Sequence, residues 1–311
     1  MEEKLVYYSA EEIADGSYKI YNNGVERPFA YCYLIVGKDY ALLIDSIIGL
    51  GNVKKFCETL TDKKIILVNT HAHSDHIGGN FFFDCCYMHP RDMALAAQSY
   101  GYKKEQLYEM ALQSAPAEYR DRIVLDDNFA DWDPIKTLPV YGGDAFDLGD
   151  RIIEVVEAGG HTAGSIVLID HKTRIAYSGD ACNGSTLVEF DHSLPIIDYM
   201  ESLLRLKKHQ GEFDMMYGGH EIFDNTIIDE AIETVARVLA GTDDHVEADG
   251  MLGGKVCWAA KKKEVGYGRE DGKRFNMSYN PGKVSVPKDW RQVIRLNDNT
   301  EKSSGDMSRV N

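Results

Sequence analysis

One short segment constrains this chain more than any other feature, because three histidines and an aspartate fall within six residues of it: His71, His73, Asp75 and His76. Residues 64–68, just before them, are mostly apolar and branched, which is typical of a buried strand that ends where the histidines begin. Neutral imidazoles and carboxylates are ligands that Zn²⁺ prefers, and a turn can aim alternate side chains at one ion and their neighbours at a second. The segment therefore predicts a metal-binding loop at the end of a strand.

Three later motifs supply further residues of the ligand type. His161 lies in Gly-His-Thr-Ala-Gly-Ser, Asp180 ends Ser-Gly-Asp, and His220 ends Gly-Gly-His. Together with His-x-His-x-Asp-His at 71–76, this order of motifs resembles the metallo-β-lactamase-fold superfamily over about residues 18–240. The resemblance implies an α/β (α+β) fold, a four-layer αββα sandwich whose metal ligands follow its strands.

The resemblance also implies a dinuclear zinc centre, with iron or manganese as other possible metals. Its expected ligands fall into two groups and a bridge: His71, His73 and His161 for one ion, Asp75, His76 and His220 for the other, and Asp180 between them.

A chemistry follows from such a centre. A hydroxide shared by two dications is a strong nucleophile at neutral pH, because the metals lower the pKa of water from about 16 to about 7. Asp180 would bridge the pair, and Asp75 would accept or shuttle a proton beside it, so these two are the predicted catalytic residues. We expect a dinuclear zinc-dependent hydrolase that attacks the carbonyl of a small ester, thioester, lactone or amide.

The substrate class stays open. A β-lactamase is one alternative, although Asp180 stands where those enzymes usually carry Cys or Ser. Residues 219–221, Gly-His-Glu, look like glyoxalase II, and Asn183 stands where acyl-homoserine lactonases carry a catalytic Tyr, which makes Asn183 a candidate substrate-binding residue. A mononuclear iron persulfide dioxygenase, which would use His71, His161 and Asp180, is an alternative from another class. A non-catalytic binding protein on this fold is a third.

Composition narrows the partners and the compartment. The formal net charge of −16 opposes non-specific attraction to nucleic acid or anionic lipid. No stretch approaches the ~18 to 20 continuous apolar residues of a membrane span, and the first residues lack the pattern of a signal peptide. The six cysteines are scattered, which indicates reduced packing residues. We expect a cytoplasmic protein with a small-molecule substrate and no nucleic-acid or membrane partner, and the oligomeric state stays open.

The chain divides into three expected regions. Residues 1–245 form the catalytic domain, residues 246–296 a C-terminal β appendage, and residues 297–311 a disordered tail rich in Asn, Asp, Ser and Gly. A helical insertion at about 90–139 is a candidate lid. Its aromatic residues either line a substrate cleft or pack the inserted helices onto the core: Tyr100, Tyr102, Tyr108, Tyr119 and Trp132.

The appendage is predicted to be a β-hairpin. Three stretches have strand-like patterns: 256–260, 265–269 and 274–279. Asp271-Gly272 is a strong hairpin-turn signal between the last two. One interpretation is a solvated hairpin whose lysines keep an edge strand soluble. The other is that it folds over the metal cleft, where Arg269 or Arg274 binds a substrate carboxylate through two parallel hydrogen bonds.

Overall fold

The computed structural model describes residues 7–23, 30–98, 102–115, 117–131, 135–263 and 268–284, and within these ranges the strands form three sheets. The first sheet runs in chain order, with β4, β5, β6 and β7 parallel. Its strands are β1 (Tyr8–Ala14), β2 (Ser17–Asn22), β3 (Tyr31–Val36), β4 (Tyr40–Ile44), β5 (Lys64–Val68), β6 (Cys85–Met88) and β7 (Lys136–Pro139).

The second sheet has the order β14-β13-β11-β10-β9-β8, and β11 and β13 are parallel in it. Its strands are β8 (Ala145–Asp147), β9 (Ile152–Glu157), β10 (Ile166–Asp170), β11 (Ile175–Gly179), β13 (Met215–Gly218) and β14 (Ile222–Asp224). All five residues of β10 are buried, because this strand is central in the sheet and covered on both faces.

The two sheets pack face to face around a shared core. Alternation along β3 is clear, since Tyr33 and Ile35 enter this inner core whereas Cys32 and Leu34 enter the core on the outer face. From the second sheet, residues such as Leu168 meet them in the inner core.

Helices cover the outer face of each sheet. They are α1 (Val53–Cys57), α2 (Ser74–Ile77), α3 (Pro90–Gln98), α4 (Lys104–Ser114), α5 (Ala117–Arg120), α6 (Ile196–Lys208) and α7 (Ile227–Ala240). Helices α1 and α4 pack on the first sheet, and α6 and α7 on the second. In α7 the buried residues recur at helical spacing, and the helix ends at Gly241 in the left-handed conformation. The predicted four-layer αββα sandwich is confirmed.

The insertion at 90–139 packs onto the first sheet. Leu107 and Ala111 of α4 are buried in that outer core, and Tyr108 meets Phe129 edge to face. Tyr102 is packed against the same core. These contacts favour the packing interpretation for Tyr102 and Tyr108, whereas Tyr100, Trp132 and the side chain of Tyr119 lie outside the described residues.

A third sheet pairs the C-terminal strand at 276–279 with a strand at 185–188. It has the order β12-β17-β16-β15, from β12 (Ser185–Val188), β15 (Val246–Asp249), β16 (Lys255–Trp258) and β17 (Asn276–Tyr279). β17 runs parallel to β12, with Ser185 opposite Asn276, and antiparallel to β16. Phe275 and Met277 are buried in the same core as α6 and α7. The C-terminal strands are thus part of the packing of the second sheet's outer layer.

The predicted hairpin between 265–269 and 274–279 does not form within the described residues. A turn forms at Gly272, which adopts a left-handed φ of 79°, but β17 takes β12 and β16 as its neighbours. Arg269 makes only an isolated bridge to Lys262, and residues 264–267 lie outside the described ranges, as does the predicted tail at 297–311. A local turn signal fixes the reversal of the chain but not the strand that it pairs with.

The buried guanidinium of Arg151 joins an ion pair in the second sheet to hydrogen bonds with the first sheet. The guanidinium of Arg151, before β9, donates to the carboxylate of Asp170 at the end of β10. It also donates to the Ser17 hydroxyl and to the carbonyls of Asp15 and Val36 in the first sheet. One side chain thereby satisfies acceptors from both layers.

No helix in the described ranges is long and apolar enough to cross a membrane. All six cysteines are free thiols, and five of them are buried, as expected for reduced packing residues.

Candidate metal centre

The ends of four strands deliver the predicted ligands to one edge of the sandwich. β5 ends just before the loop that carries His71 and His73, and α2 carries Asp75 and His76. His161 follows β9, Asp180 follows β11, and His220 follows β13. From the sequence, each ligand is expected to follow a strand. Because these strands end at the same edge of the sandwich, their ligands come together there.

Two glycines let the chain pass close to this edge. Gly179 has a left-handed φ of 48°, and a Cβ there would lie 2.2 Å from the Thr70 hydroxyl oxygen. A Cβ on Gly219 would lie 2.4 Å from Cε1 of His76 and 2.6 Å from Oδ1 of Asp180. Larger residues would push the ligand side chains apart.

The first ligand group is His71, His73 and His161. A ligand nitrogen from each lies within 4.8 Å of the others, and Nδ1 of His73 is 2.8 Å from Nε2 of His161. His161 donates its other ring N–H to the carbonyl of Leu187 at 2.7 Å. That hydrogen bond leaves Nε2 of His161 as the nitrogen that faces the group.

The second ligand group is Asp75, His76 and His220. The Asp75 carboxylate lies 3.4 Å from Nε2 of His220 and 3.8 Å from Nε2 of His76. Asp180 stands between the groups, with Oδ2 at 3.2 Å from Nε2 of His220 and at 3.6 Å from Nε2 of His161. Asp180 thus lies within reach of histidines from both groups.

Three buried atoms at this site have no hydrogen-bond partner: Nε2 of His71, Nε2 of His76 and Oδ1 of Asp180. Buried polar atoms normally have partners, so three orphaned atoms in one place need an explanation. All three can donate an electron pair to a cation, and imidazole nitrogens with carboxylate oxygens are a donor set suited to zinc. The residues therefore fit a metal centre.

The pKa values of the histidines also agree with a metal centre. Burial, aided by neighbouring histidines, lowers the pKa of His71 and takes that of His73 to about 2. Burial alone would also lower the pKa of His76, but the carboxylates of Asp180, Asp75 and Asp45 raise it to about 10. The first group thus presents neutral imidazoles, the form that binds metal, and the second attracts positive charge.

Two buried aspartates that sequence reasoning missed hold the ligand loops. Asp45, at the end of β4, accepts hydrogen bonds from the backbone N–H and hydroxyl of Thr70, both at 2.7 Å, and from Nδ1 of His76 at 2.8 Å. Asp92 in α3 accepts from the N–H of Ala72 and from the Thr162 hydroxyl, and so joins the His71 loop to the His161 loop. Asp45 could have been noticed as a carboxylate at a strand end, whereas nothing in the sequence marks Asp92.

A further histidine, His192, enters the site although no motif surrounds it in the sequence. Its Nε2 is 2.7 Å from Nε2 of His73, and its ring stacks on Phe190 with an interplanar angle of 16°. The loop that follows β12 brings it there, and that loop has no ligand spacing that sequence reasoning could use.

The predicted substrate-binding residues lie in different surroundings. Asn183 is buried three residues after Asp180, and its side-chain oxygen accepts a hydrogen bond from the Thr186 hydroxyl at 2.9 Å. That contact holds the turn into β12, and substrate binding by Asn183 stays a prediction.

The guanidinium groups of the two predicted substrate-binding arginines make their contacts within the protein. Arg269 is 1% exposed and donates to Asp271, to Thr234 and to the carbonyl of Phe275. Arg274 is paired with Glu230 and Asp224, on and beside α7. These contacts assign both arginines to packing of the C-terminal segment on α7, and their expected role in binding a substrate carboxylate finds no support.

Comparison with known proteins gives the family. A profile of the Metallo-beta-lactamase superfamily matches residues 25–220. Two relatives named Acyl-coenzyme A thioesterase MBLAC2, from Bos taurus and Homo sapiens, are each 26% identical over 220 residues, which cover 65% of this chain and 76% of theirs.

Solved structures agree at the level of the fold. A metallo-beta-lactamase from Pontibacter korlensis is 14% identical with a TM-score of 0.54, over 74% of this chain and 99% of that one. The mono-zinc form of FIM-1 from Pseudomonas aeruginosa is 15% identical with a TM-score of 0.52, over 74% of this chain and 96% of that one. With the profile spanning most of the sandwich and its ligand motifs brought together, the chain belongs to the metallo-beta-lactamase superfamily, as a hydrolase of that family.

Proposed function

We propose that this chain is a dinuclear zinc-dependent hydrolase that cleaves acyl thioesters. One observation carries the metal part of the proposal: three orphaned buried donor atoms, on His71, His76 and Asp180, face one another where both ligand groups meet. The thioester part is supported by the relatives named acyl-coenzyme A thioesterase, which align over 65% of the chain. In the reaction, an acyl thioester and water give a carboxylic acid and a thiol.

Two bound zinc ions would supply a water activated at neutral pH and positive charge beside the carbonyl oxygen. The residues do the rest. His71, His73 and His161 would hold one ion, and Asp180, buried between the two groups, would balance the charge of both. Asp75 has a side chain 31% exposed, and it lies beside His220 at the open edge of the site. It is therefore the carboxylate placed to pass a proton between the site and solvent.

The second ligand group helps to decide between the proposed hydrolase and the alternative functions. A mononuclear iron persulfide dioxygenase needs only His71, His161 and Asp180, and it leaves Asp75 and the other second-group residues without a role. Their convergence within 4.8 Å favours two ions. A β-lactamase is disfavoured because Asp180 occupies the place of the usual Cys or Ser ligand, and the likeness to solved β-lactamases concerns the fold.

The setting of the enzyme follows from its surface and its thiols. A net charge of −16 fits a small-molecule substrate better than nucleic acid. Six free thiols suit the reducing cytoplasm.

Metal analysis with a substrate series tests the proposal. Purified protein should carry about two zinc ions per chain, and acyl-coenzyme A thioesters should be hydrolysed faster than the matching oxygen esters or a β-lactam. Chelation should abolish this hydrolysis, and added zinc should restore it. One iron per chain with oxygen-dependent turnover of a persulfide would overturn the proposal.

A further inference from the structure

We propose that His192 is a positioning residue that fixes the ring of His73 toward the first metal ion, and that Lys283, beyond the family region, holds His192 in place. The proposal rests on the metal centre described under the proposed function. It gives a role to a histidine without a motif and to a C-terminal segment that the superfamily profile does not reach.

The first argument concerns the two nitrogens of His73. Nδ1 faces Nε2 of His161, so Nδ1 is the nitrogen directed at the ion. An imidazole that binds metal through one nitrogen keeps its proton on the other, and metal-binding histidines almost always donate that N–H to a partner. The other nitrogen of His73, Nε2, lies 2.7 Å from Nε2 of His192. His192 is therefore the acceptor for His73.

Neighbouring histidines follow the same rule with different partners. His161 donates Nδ1–H to the carbonyl of Leu187, and His76 donates Nδ1–H to Asp45. Nδ1 of His71 lies 3.1 Å from the hydroxyl of Thr70. The partner of His73 lies in the loop that follows β12, and a loop must be held in place to serve as a partner.

Phe190 restrains the His192 ring from one side. The two rings stack with centroids 5.1 Å apart, and Phe190 also meets His73 edge to face at 5.3 Å. Phe190 is buried. The stacked pair thus lies against the first ligand group, with its rotation limited by packing.

Lys283 closes the loop from the other side. Its ammonium donates to the carbonyls of Phe190 and Asp191, each at 2.8 Å, and of Ser193 at 3.0 Å. An ammonium has three donors, and here each has an acceptor in the backbone on either side of His192. The Ser193 hydroxyl in turn donates to the carbonyl of His161 at 2.7 Å. Lys283 reaches this place because β17, just before it, runs parallel to β12, which leads into the loop.

Zinc affinity tests the proposal directly. The measurement is competition with a chromophoric chelator on the full chain carrying His220→Ala, in which only the first ligand group is complete. In this background, adding His192→Ala should weaken zinc binding about 10- to 100-fold. Adding His192→Gln should recover most of the loss, because its side-chain oxygen can accept the same hydrogen bond. A role in packing alone predicts that His192→Leu, which fills similar space without an acceptor, recovers zinc binding as well as His192→Gln does.

Lys283→Met, with Lys273→Met as its matched control, tests the second half. Lys273 is paired with Glu233 on α7 and touches no part of the His192 loop. Lys283→Met should weaken zinc binding several-fold, Lys273→Met should not, and Lys283→Met added to His192→Ala should cost nothing further, because both act through one hydrogen bond.

Each outcome of these measurements supports or overturns a role of His192 or Lys283. Unchanged zinc affinity in His192→Ala, or equal losses in His192→Ala and His192→Gln, overturns the role of His192. Additive losses in the double variant overturn the role of Lys283. Should His192→Ala fail to fold, His192→Gln compared with His192→Leu carries the same test. Wild-type protein with a single zinc ion would contradict the dinuclear function but leave this comparison valid at the first ligand group.

Discussion

Asp180 is the residue on which the two ligand groups depend. Its carboxylate is buried, and its oxygens lie within 3.6 Å of His76, His161 and His220. Although burial opposes ionisation, the histidines around it, His220 first, hold the pKa of Asp180 well below its usual value. The group is therefore a fixed negative charge at the place where two cations would meet.

Replacing Asp180 by Asn keeps the shape of the side chain and removes this charge. We expect Asp180→Asn to lose at least one of the two zinc ions and to lower thioester turnover by about 100-fold or more, because second-site charge balance is lost. Elemental analysis and thioesterase assays measure the two effects, with circular dichroism to verify folding. Asp214→Asn, at an exposed ion pair with Arg174, is the control. Full turnover with two ions in Asp180→Asn would show that the carboxylate does not bridge.

The roles of some site residues can be predicted from the sequence, and those of others cannot. The ligand motifs are short and local, so their resemblance to those of the superfamily was enough to predict that His71, Asp180 and His220 meet. Asp92 and His192 act through partners distant in sequence, such as Thr162 for Asp92, and no local pattern records these pairings. The side-chain contacts of Arg269 were invisible for the same reason, since its partner Thr234 lies on α7.

Among the elements, the short sheet of β12, β17, β16 and β15 is the one that attaches the C-terminal strands to the sandwich. Met277 in β17 is fully buried and lies opposite Thr186 of β12. Phe275 beside it packs in the same core as α7. β17 is thus held both by strand pairing and by apolar burial.

We expect Met277→Ala to lower the free energy of unfolding by about 2–5 kcal/mol, through lost apolar contact and the cavity left behind. Urea denaturation measures the change. Lys255→Ala, which removes an exposed ion pair with Asp249 at the edge of the same sheet, should stay within about 0.5 kcal/mol of the wild type. A cost below 1 kcal/mol for Met277→Ala would mean that the sheet is not part of the cooperative core.

Individual elements were easier to predict than their neighbours. β5 was expected at residues 64–68 and found at Lys64–Val68. Apolar periodicity is local and carries this information. The strand β12, which pairs with β17, is distant along the chain, and the strong turn signal at Gly272 suggested residues 265–269 instead.

Across the whole molecule, Arg151 connects the two large sheets through its ion pair with Asp170 and its hydrogen bonds to Ser17 and Val36. We expect Arg151→Met to lower the free energy of unfolding by about 3–5 kcal/mol, because it leaves a buried carboxylate without its cation. Arg151→Met with Asp170→Asn should cost less than Arg151→Met alone, since the uncompensated charge is gone. Arg174→Met, at an exposed pair, should cost at most about 1 kcal/mol. Chemical denaturation of these variants compares them, and a double variant less stable than Arg151→Met would contradict the explanation.

The parallel pairing of β12 with β17 also sets an order in time. A ribosome makes Ser185 long before its strand partner Asn276, and Lys283 emerges later still. Until then the backbone of β12 has an unpaired edge, and the carbonyls around His192 lack the ammonium that gathers them. The loop against the first ligand group therefore reaches its final form only after β17 and Lys283 have been made, so a nascent chain stalled before β17 holds every predicted ligand residue and still has an unfinished site.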